Sequence, residues 1–201
     1  MLKTRIIITR LLIFCMALFF VLASSCDRSE ESSTNNIKGD IQEMDRLFQE
    51  ADVLRIQDPG EPLEIILNDM NGRERKLSDF RGKIIFLNFW ATWCLPCRKE
   101  MPSMERLYKR FRDKDFEMIG INMQEPASSV KEFFENYKFS FISLLDSTGD
   151  VQKRFGIRAI PSTLILDKKG RIIGKAIGEK EWDRKEAIDL FRQLVEMKIE
   201  E

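Results

Sequence analysis

From Asp40 onward the polar and apolar positions fall into alternating helical and extended runs. Ile41, Met44, Leu47, Phe48 and Ala51 recur at helical spacing behind Asp40, with Glu43 placed to close a capping box, and Asp58-Pro59-Gly60 ends the run. This predicts an amphipathic helix and turn over residues 40–60. Residues 63–67 form a short apolar strand, and Asn71-Gly72 is a strong hairpin signal. Residues 84–89 are continuously apolar, as suits a central strand covered on both faces. A helix follows over 95–111, with Met101, Met104, Tyr108 and Phe111 on one face, and 116–121 is a second buried strand. Helices are then expected at 130–137 and 151–155, strands at 162–166 and 171–177 joined through Asp167-Lys168-Lys169-Gly170, and a closing amphipathic helix at 181–197. Strand–helix–strand followed by a β-hairpin and a helix predicts an α/β fold, a mixed central sheet with helices on both faces.

The first 25 residues do not share this pattern. Lys3, Arg5 and Arg10 precede an uncharged run from Leu11 to Ala23, then Ser24 and Ser25. A basic start, a short apolar core and a small-residue exit are the plan of a secretory signal, retained as an anchor if it is not cleaved. A spanning helix needs about 20 apolar residues, and extension back to Ile6 would include Arg10. The positive end stays cytoplasmic, so the remainder is expected outside the cytoplasm. Leu22-Ala23-Ser24-Ser25-Cys26 resembles the lipobox of bacterial lipoproteins, although Ala23 stands where that family usually has leucine. The resemblance implies a lipid on Cys26; otherwise Cys26 simply follows the signal. Asp27 to Asn36 carries no apolar residue, so 26–39 is expected to be a flexible polar linker.

Composition narrows the chemistry. The 201 residues balance 33 Lys+Arg against 33 Asp+Glu, and without Lys3, Arg5 and Arg10 the rest is slightly acidic, which argues against a nucleic-acid partner. Histidine is absent, which removes Ser-His-Asp and Cys-His hydrolases, histidine-held metals and histidine-held haem. Four cysteines remain, and Cys15 and Cys26 lie in or at the leader.

Cys94-Leu95-Pro96-Cys97 sits where the most apolar strand gives way to a helix. Two cysteines in the first helical turn can close a disulfide with little strain. Backbone N–H groups and the helix dipole stabilise a thiolate on the first, while the second lies deeper and is the expected resolving thiol. Pro96 suits a first turn, having no N–H to leave unpaired. A zinc site would need two more ligands, and haem attachment needs histidine where Arg98 stands, so no metal and no cofactor are expected. A structural disulfide closing so short a loop would constrain the unfolded chain little, which favours redox chemistry.

From about Pro62 to the C-terminus the chain resembles the thioredoxin-fold TlpA/ResA-like thiol-disulfide oxidoreductases of the extracytoplasmic space. The similarity lies in Leu77-Ser78-Asp79-Phe80-Arg81-Gly82-Lys83, in Leu87-Asn88-Phe89-Trp90-Ala91-Thr92-Trp93-Cys94-Leu95-Pro96-Cys97, in Arg98-Lys99-Glu100-Met101-Pro102 and in Phe155-Gly156-Ile157-Arg158-Ala159-Ile160-Pro161-Ser162-Thr163. It implies a thioredoxin-like domain over 61–201, with Cys94 as nucleophile, Cys97 as resolving thiol, and Pro161 as a cis-proline beside the pair. The backbone at Ile160 would pair with the substrate strand, and Pro102 would kink the active-site helix. Trp90 is expected in the core and Trp93 on an apolar surface beside Cys94. Thioredoxins carry a buried aspartate where this chain has Asn88. Because the family places a glutamate near the cysteines, that role is assigned here to Glu125, against the alternative of a solvated loop residue before Pro126.

The resemblance implies reduction of protein disulfides, with apocytochrome c a frequent family substrate, and re-reduction by a membrane thiol electron donor. Two other readings stay open at this stage, a disulfide oxidase or isomerase and a thioredoxin-like binding module without turnover. A peroxiredoxin is disfavoured, because Leu87 stands seven residues before Cys94 where that motif needs proline.

Overall fold

A computed structural model describes residues 27–198; the leader and Cys26 lie outside the described residues. The described chain divides at Met44/Asp45 into two units. Helix α1, Asp27–Glu50, runs through residues 27–44 of the first and into the second. It therefore starts thirteen residues before the expected position and occupies the segment read as a flexible linker. Polar composition denies that segment a core, but it holds no proline and a single glycine, Gly39, so nothing in it breaks a helix. Among the described residues no helix is long and apolar enough to cross a membrane.

The second unit is built on a six-stranded sheet in the order β1-β8-β7-β4-β5-β6, where β1 is Leu54–Arg55, β4 Ile84–Trp90, β5 Phe116–Met123, β6 Ile142–Asp146, β7 Ser162–Leu166 and β8 Ile172–Ile177. Strands β4, β5 and β6 are parallel, and β7, β8 and β1 follow antiparallel. The crossovers are α2, Leu95–Phe111, between β4 and β5, and α3, Ala127–Tyr137, between β5 and β6. Short helix α4, Asp150–Arg154, leads towards β7, and α5, Lys185–Glu196, ends the fold. A separate hairpin pairs β2, Ile66–Asn68, with β3, Glu74–Lys76, ahead of a 3-10 turn at Leu77–Phe80.

The central strand shows how the core is divided. Ile85, Leu87 and Phe89 join Ile119, Ile121, Leu164 and Leu166 in a cluster with Ile65, Leu77 and Phe80 from the hairpin side. The alternate residues look the other way, since successive strand side chains point to opposite faces. Phe86 meets Trp182 and Phe191, while Trp90 meets Phe133 and Phe134 of α3. Asn88 lies between them, a fully buried polar residue on that face.

Four details differ from the sequence reading. Strand β6 was not anticipated, and β1 adds Leu54–Arg55 of the expected helix-and-turn segment to the sheet edge. The Asn71-Gly72 turn is longer than two residues, because Asp69 accepts hydrogen bonds from the N–H groups of Asn71 (2.9 Å) and Arg73 (3.1 Å) and so draws the loop around its own carboxylate. The last helix begins at Lys185, four residues later than expected, because the chain just before it is tied down on α2. Pro102, the residue expected to kink the active-site helix, lies inside α2.

Candidate active site

Strand β4 ends at Trp90, and the chain turns through Ala91-Thr92-Trp93 before α2 begins. Cys94 caps that helix with extended backbone geometry, its sulfur accepting the N–H of Cys97 at 3.2 Å, and Pro96 occupies the first turn. Cys94 and Cys97 form a disulfide with their Cα atoms 5.3 Å apart. Cys97 is fully buried, while Cys94 retains 5% exposure, so an incoming sulfur can approach Cys94 alone. Opposite, the Ile160–Pro161 peptide is cis, and the Ile160 carbonyl oxygen lies 3.8 Å from Cys94 Sγ. The Pro161 carbonyl accepts the N–H of Gly178 at 2.9 Å, which ties this edge to the end of β8.

The surroundings of the pair are apolar outside and polar inside. Trp93 and Leu95 flank Cys94 with 67% and 59% of their surface exposed. Trp90 is fully buried, and a Cβ at Gly120 would approach its indole Nε1 to 2.8 Å, so the strand beneath it carries no side chain there. Arg98 turns to the Tyr137 hydroxyl, to which it donates at 2.9 Å.

Glu125 stands at the β5–α3 junction and accepts from the Thr92 backbone N–H at 2.8 Å, the Thr92 hydroxyl, and Asn122 Nδ2 at 2.7 Å. Its carboxylate thus holds the turn two residues before Cys94.

A second carboxyl was missed by the sequence reading. Glu100 lies one helical turn beyond Cys97 on the same buried face of α2, and only 1% of it is exposed. Asn88 Nδ2 donates to its Oε1 at 2.8 Å and to Thr163 Oγ1 at 3.0 Å, joining α2 to the strand that follows Pro161. Its Oε2 accepts the Lys180 backbone N–H at 3.2 Å and the Trp182 indole N–H at 3.3 Å. Burial pushes the Glu100 carboxyl up to about 7, against the opposing pull of the Asn88, Lys180 and Trp182 donors. The signal was available, because Glu100 falls four residues before Met104 on the stripe that also holds Cys97 and Met101. Among the described residues no group of His, Cys, Asp or Glu could hold a metal ion.

Comparison with known proteins agrees with this geometry. A sequence profile described as the AhpC/TSA family matches residues 60–175. The thiol-disulfide oxidoreductase ResA of Bacillus thuringiensis subsp. konkukian is 38% identical over 115 residues, 57% of this chain and 66% of that protein, so the match spans just under two thirds of its length. The ResA of Bacillus cereus strain ZK is 35% identical over 130 residues, covering 65% of this chain and 75% of that one. Among solved structures, the thioredoxin domain of a thiol-disulfide oxidoreductase from Bacteroides vulgatus superposes with a TM-score of 0.60 at 26% identity, over 68% of this chain and 96% of that one.

Proposed function

The chain belongs to the AhpC/TSA family, with ResA thiol-disulfide oxidoreductases among its relatives, and on that footing we propose that it is an extracytoplasmic reductase of protein disulfides. The observation that carries the proposal is the Cys94–Cys97 pair, open at Cys94, closed at Cys97, and placed between exposed Trp93 and Leu95 and the cis Ile160–Pro161 edge.

In the reaction the Cys94 thiolate attacks one sulfur of a client disulfide. A Cys94–client bond forms and the client's other sulfur leaves as a thiolate. Deprotonated Cys97 then attacks Cys94 Sγ, which re-forms the Cys94–Cys97 bond and releases the second client thiolate. Two electrons pass from the pair to the client, and the disulfide state described above is the product state. The helix N-terminus and the Cys97 N–H stabilise the negative charge on Cys94. Cys97 has no such exposure, and the carboxyl with the means to take its proton is Glu100, buried on the same face and poised near 7. Glu125 acts through Thr92 as a positioning residue. Trp93, Leu95 and the Ile160 backbone form the client-docking edge.

A dithiol donor must return the electrons, and the leader points to one at a membrane. Its signal-like plan and the lipobox-like approach to Cys26 support an envelope protein tethered by lipid or by a retained signal. Oxidised apocytochrome c is a client of the right chemistry, a C-x-x-C disulfide in an unfolded chain.

The test is trapping. Cys97→Ser is expected to accumulate client mixed disulfides on Cys94, visible on non-reducing gels and lost on reduction, and Cys94→Ser to accumulate none. Equal behaviour of the two variants, with function retained in cells by the double variant, would mean a binding module instead.

A further inference from the structure

The segment 178–184, between β8 and α5, has no role in the reaction as described, yet it is fastened along one side of the active-site helix. Glu100, Ser103 and Arg106 recur at three-residue spacing on α2, and each holds a successive part of this loop. Glu100 accepts from Lys180 and Trp182. The Ser103 hydroxyl accepts the Trp182 backbone N–H at 3.0 Å while donating to the Glu100 carbonyl at 2.7 Å. Arg106 pairs with Asp183. The Lys180 ammonium turns away to Asp52, and the Arg184 guanidinium donates to the Glu50 carbonyl at 2.9 Å. Trp182 itself is 1% exposed, and its ring packs edge-on against Phe86 at 4.7 Å and against Phe191 at 6.4 Å. The indole is thereby fixed from three sides with its one polar atom aimed at the Glu100 carboxyl.

We propose that Trp182 is a positioning residue for the dithiol chemistry, holding Glu100 Oε2 through its indole N–H so that the 178–184 loop governs when that carboxyl gives up or takes a proton. The inference rests on the role given to Glu100 above. A phenylalanine in place of Trp182 would fill most of the same volume, so packing alone does not account for a donor at this place. The charges acting here are few. Glu179 on the same loop is the charged neighbour that pushes the Glu100 carboxyl up. Lys180 and Arg106 are neutralised by Asp52 and Asp183, and Asn88 on β4, which also donates to Thr163 on β7, is uncharged. Burial disfavours the carboxylate, and the neutral donors set how much of that is offset. A hydrogen bond to the charged form favours it, so removing the indole donor makes Glu100 ionise at higher pH.

The experiment measures the rate at which iodoacetamide alkylates the reduced protein as a function of pH, in the unmutated protein, Trp182→Phe, Glu100→Gln and the double variant. The inflection abolished by Glu100→Gln is expected to move upward by about half a pH unit in Trp182→Phe, a size set by one long hydrogen bond to a charged acceptor. Adding Trp182→Phe to Glu100→Gln is expected to change nothing further. A shift of equal size with and without the Glu100 carboxyl would show that Trp182 only packs, and would overturn the inference, as would an unmoved inflection in Trp182→Phe. A second readout needs no variant. The indole Nε1–H resonance of Trp182 in the unmutated reduced protein is expected to titrate with the same midpoint as the inflection, and a resonance that does not respond would overturn the inference. Failure of the functional reading looks different, since the reduced protein would then fail to cleave a model protein disulfide at any pH.

Discussion

At the residue scale the site turns on two carboxyls treated oppositely by the fold. Glu125 sits in a nest of donors supplied by Thr92 and Asn122, whereas Glu100 is buried and its donors offset only part of the lost hydration. The second case has a consequence for stability. With the folded carboxyl near 7 and the unfolded one near 4.5, the folded protein holds a proton between those values that the unfolded chain has released. Stability contributed by this group is fully present below about 4.5 and is lost as pH rises through about 7, a decline on the order of 3 kcal/mol. Urea unfolding of the oxidised protein at about pH 5 and about pH 8 measures it. In Glu100→Gln that decline is expected to disappear, and an undiminished one would place its origin elsewhere. For Glu125 the expectation concerns position. Gln can still accept the Thr92 N–H and exchange donors with the Thr92 hydroxyl, so Glu125→Gln should slow thiol exchange modestly. Glu125→Ala leaves the Thr92 turn unheld and should cost about tenfold in exchange rate, on the order of one lost charge-assisted hydrogen bond. Comparable rates in the two variants would remove Glu125 from the site.

At the element scale, β4, β5 and α2 carry the site between them. Trp90 at the end of β4 lies over Gly120 of β5, and a methyl group there would meet the indole nitrogen at 2.8 Å, closer than side chains pack. Gly120→Ala should therefore destabilise the domain by about 1–3 kcal/mol, seen as a lower thermal midpoint, because the ring that shapes the turn before Cys94 must shift. An unchanged midpoint would show that Trp90 has room to move. These same elements were legible in the sequence, since 84–89 and 116–121 are continuous apolar runs and the 95–111 stripe has helical period. What was hidden was pairing and polarity across space. Strand β6 follows Phe139-Ser140-Phe141, without the glycine or proline that would mark its start at Ile142, and is recognisable only once it lies beside β5. Glu100 is hidden in the sequence because a glutamate three residues past a cysteine, next to Arg98 and Lys99, looks like surface charge near the start of a helix. Its burial depends on Trp182, eighty-two residues later, arriving over it. Residues 27–39 were misread for the opposite reason: their polarity says that they lack a core, which is not the same as lacking a helix.

At the scale of the whole molecule the decisive quantity is the equilibrium reduction potential of Cys94–Cys97, for which the fold supplies opposing influences. The helix N-terminus and the Cys97 N–H favour a thiolate on Cys94, stabilise the reduced state and raise the potential. Burial of Cys97 and the ionised form of Glu100 on the same face disfavour thiolate and lower it. A reductase needs the second set to prevail, and the expected value lies near or below about −230 mV, towards the thioredoxin end of the scale. Removing the carboxylate in Glu100→Gln should then raise the potential by about 10–30 mV, since about 30 mV corresponds to about 1.4 kcal/mol for a two-electron couple. Titration of both proteins against dithiothreitol and glutathione buffers gives the two numbers directly. A potential of about −180 mV or higher would mean that the thiolate-stabilising groups dominate, and the protein would donate its disulfide instead of its electrons. An unchanged potential in Glu100→Gln would sever that carboxyl from the thiols, and the inference about Trp182 with it. If no reversible couple were found, the pair would be a fixed staple, and Trp93, Leu95 and the Pro161 edge would serve binding alone.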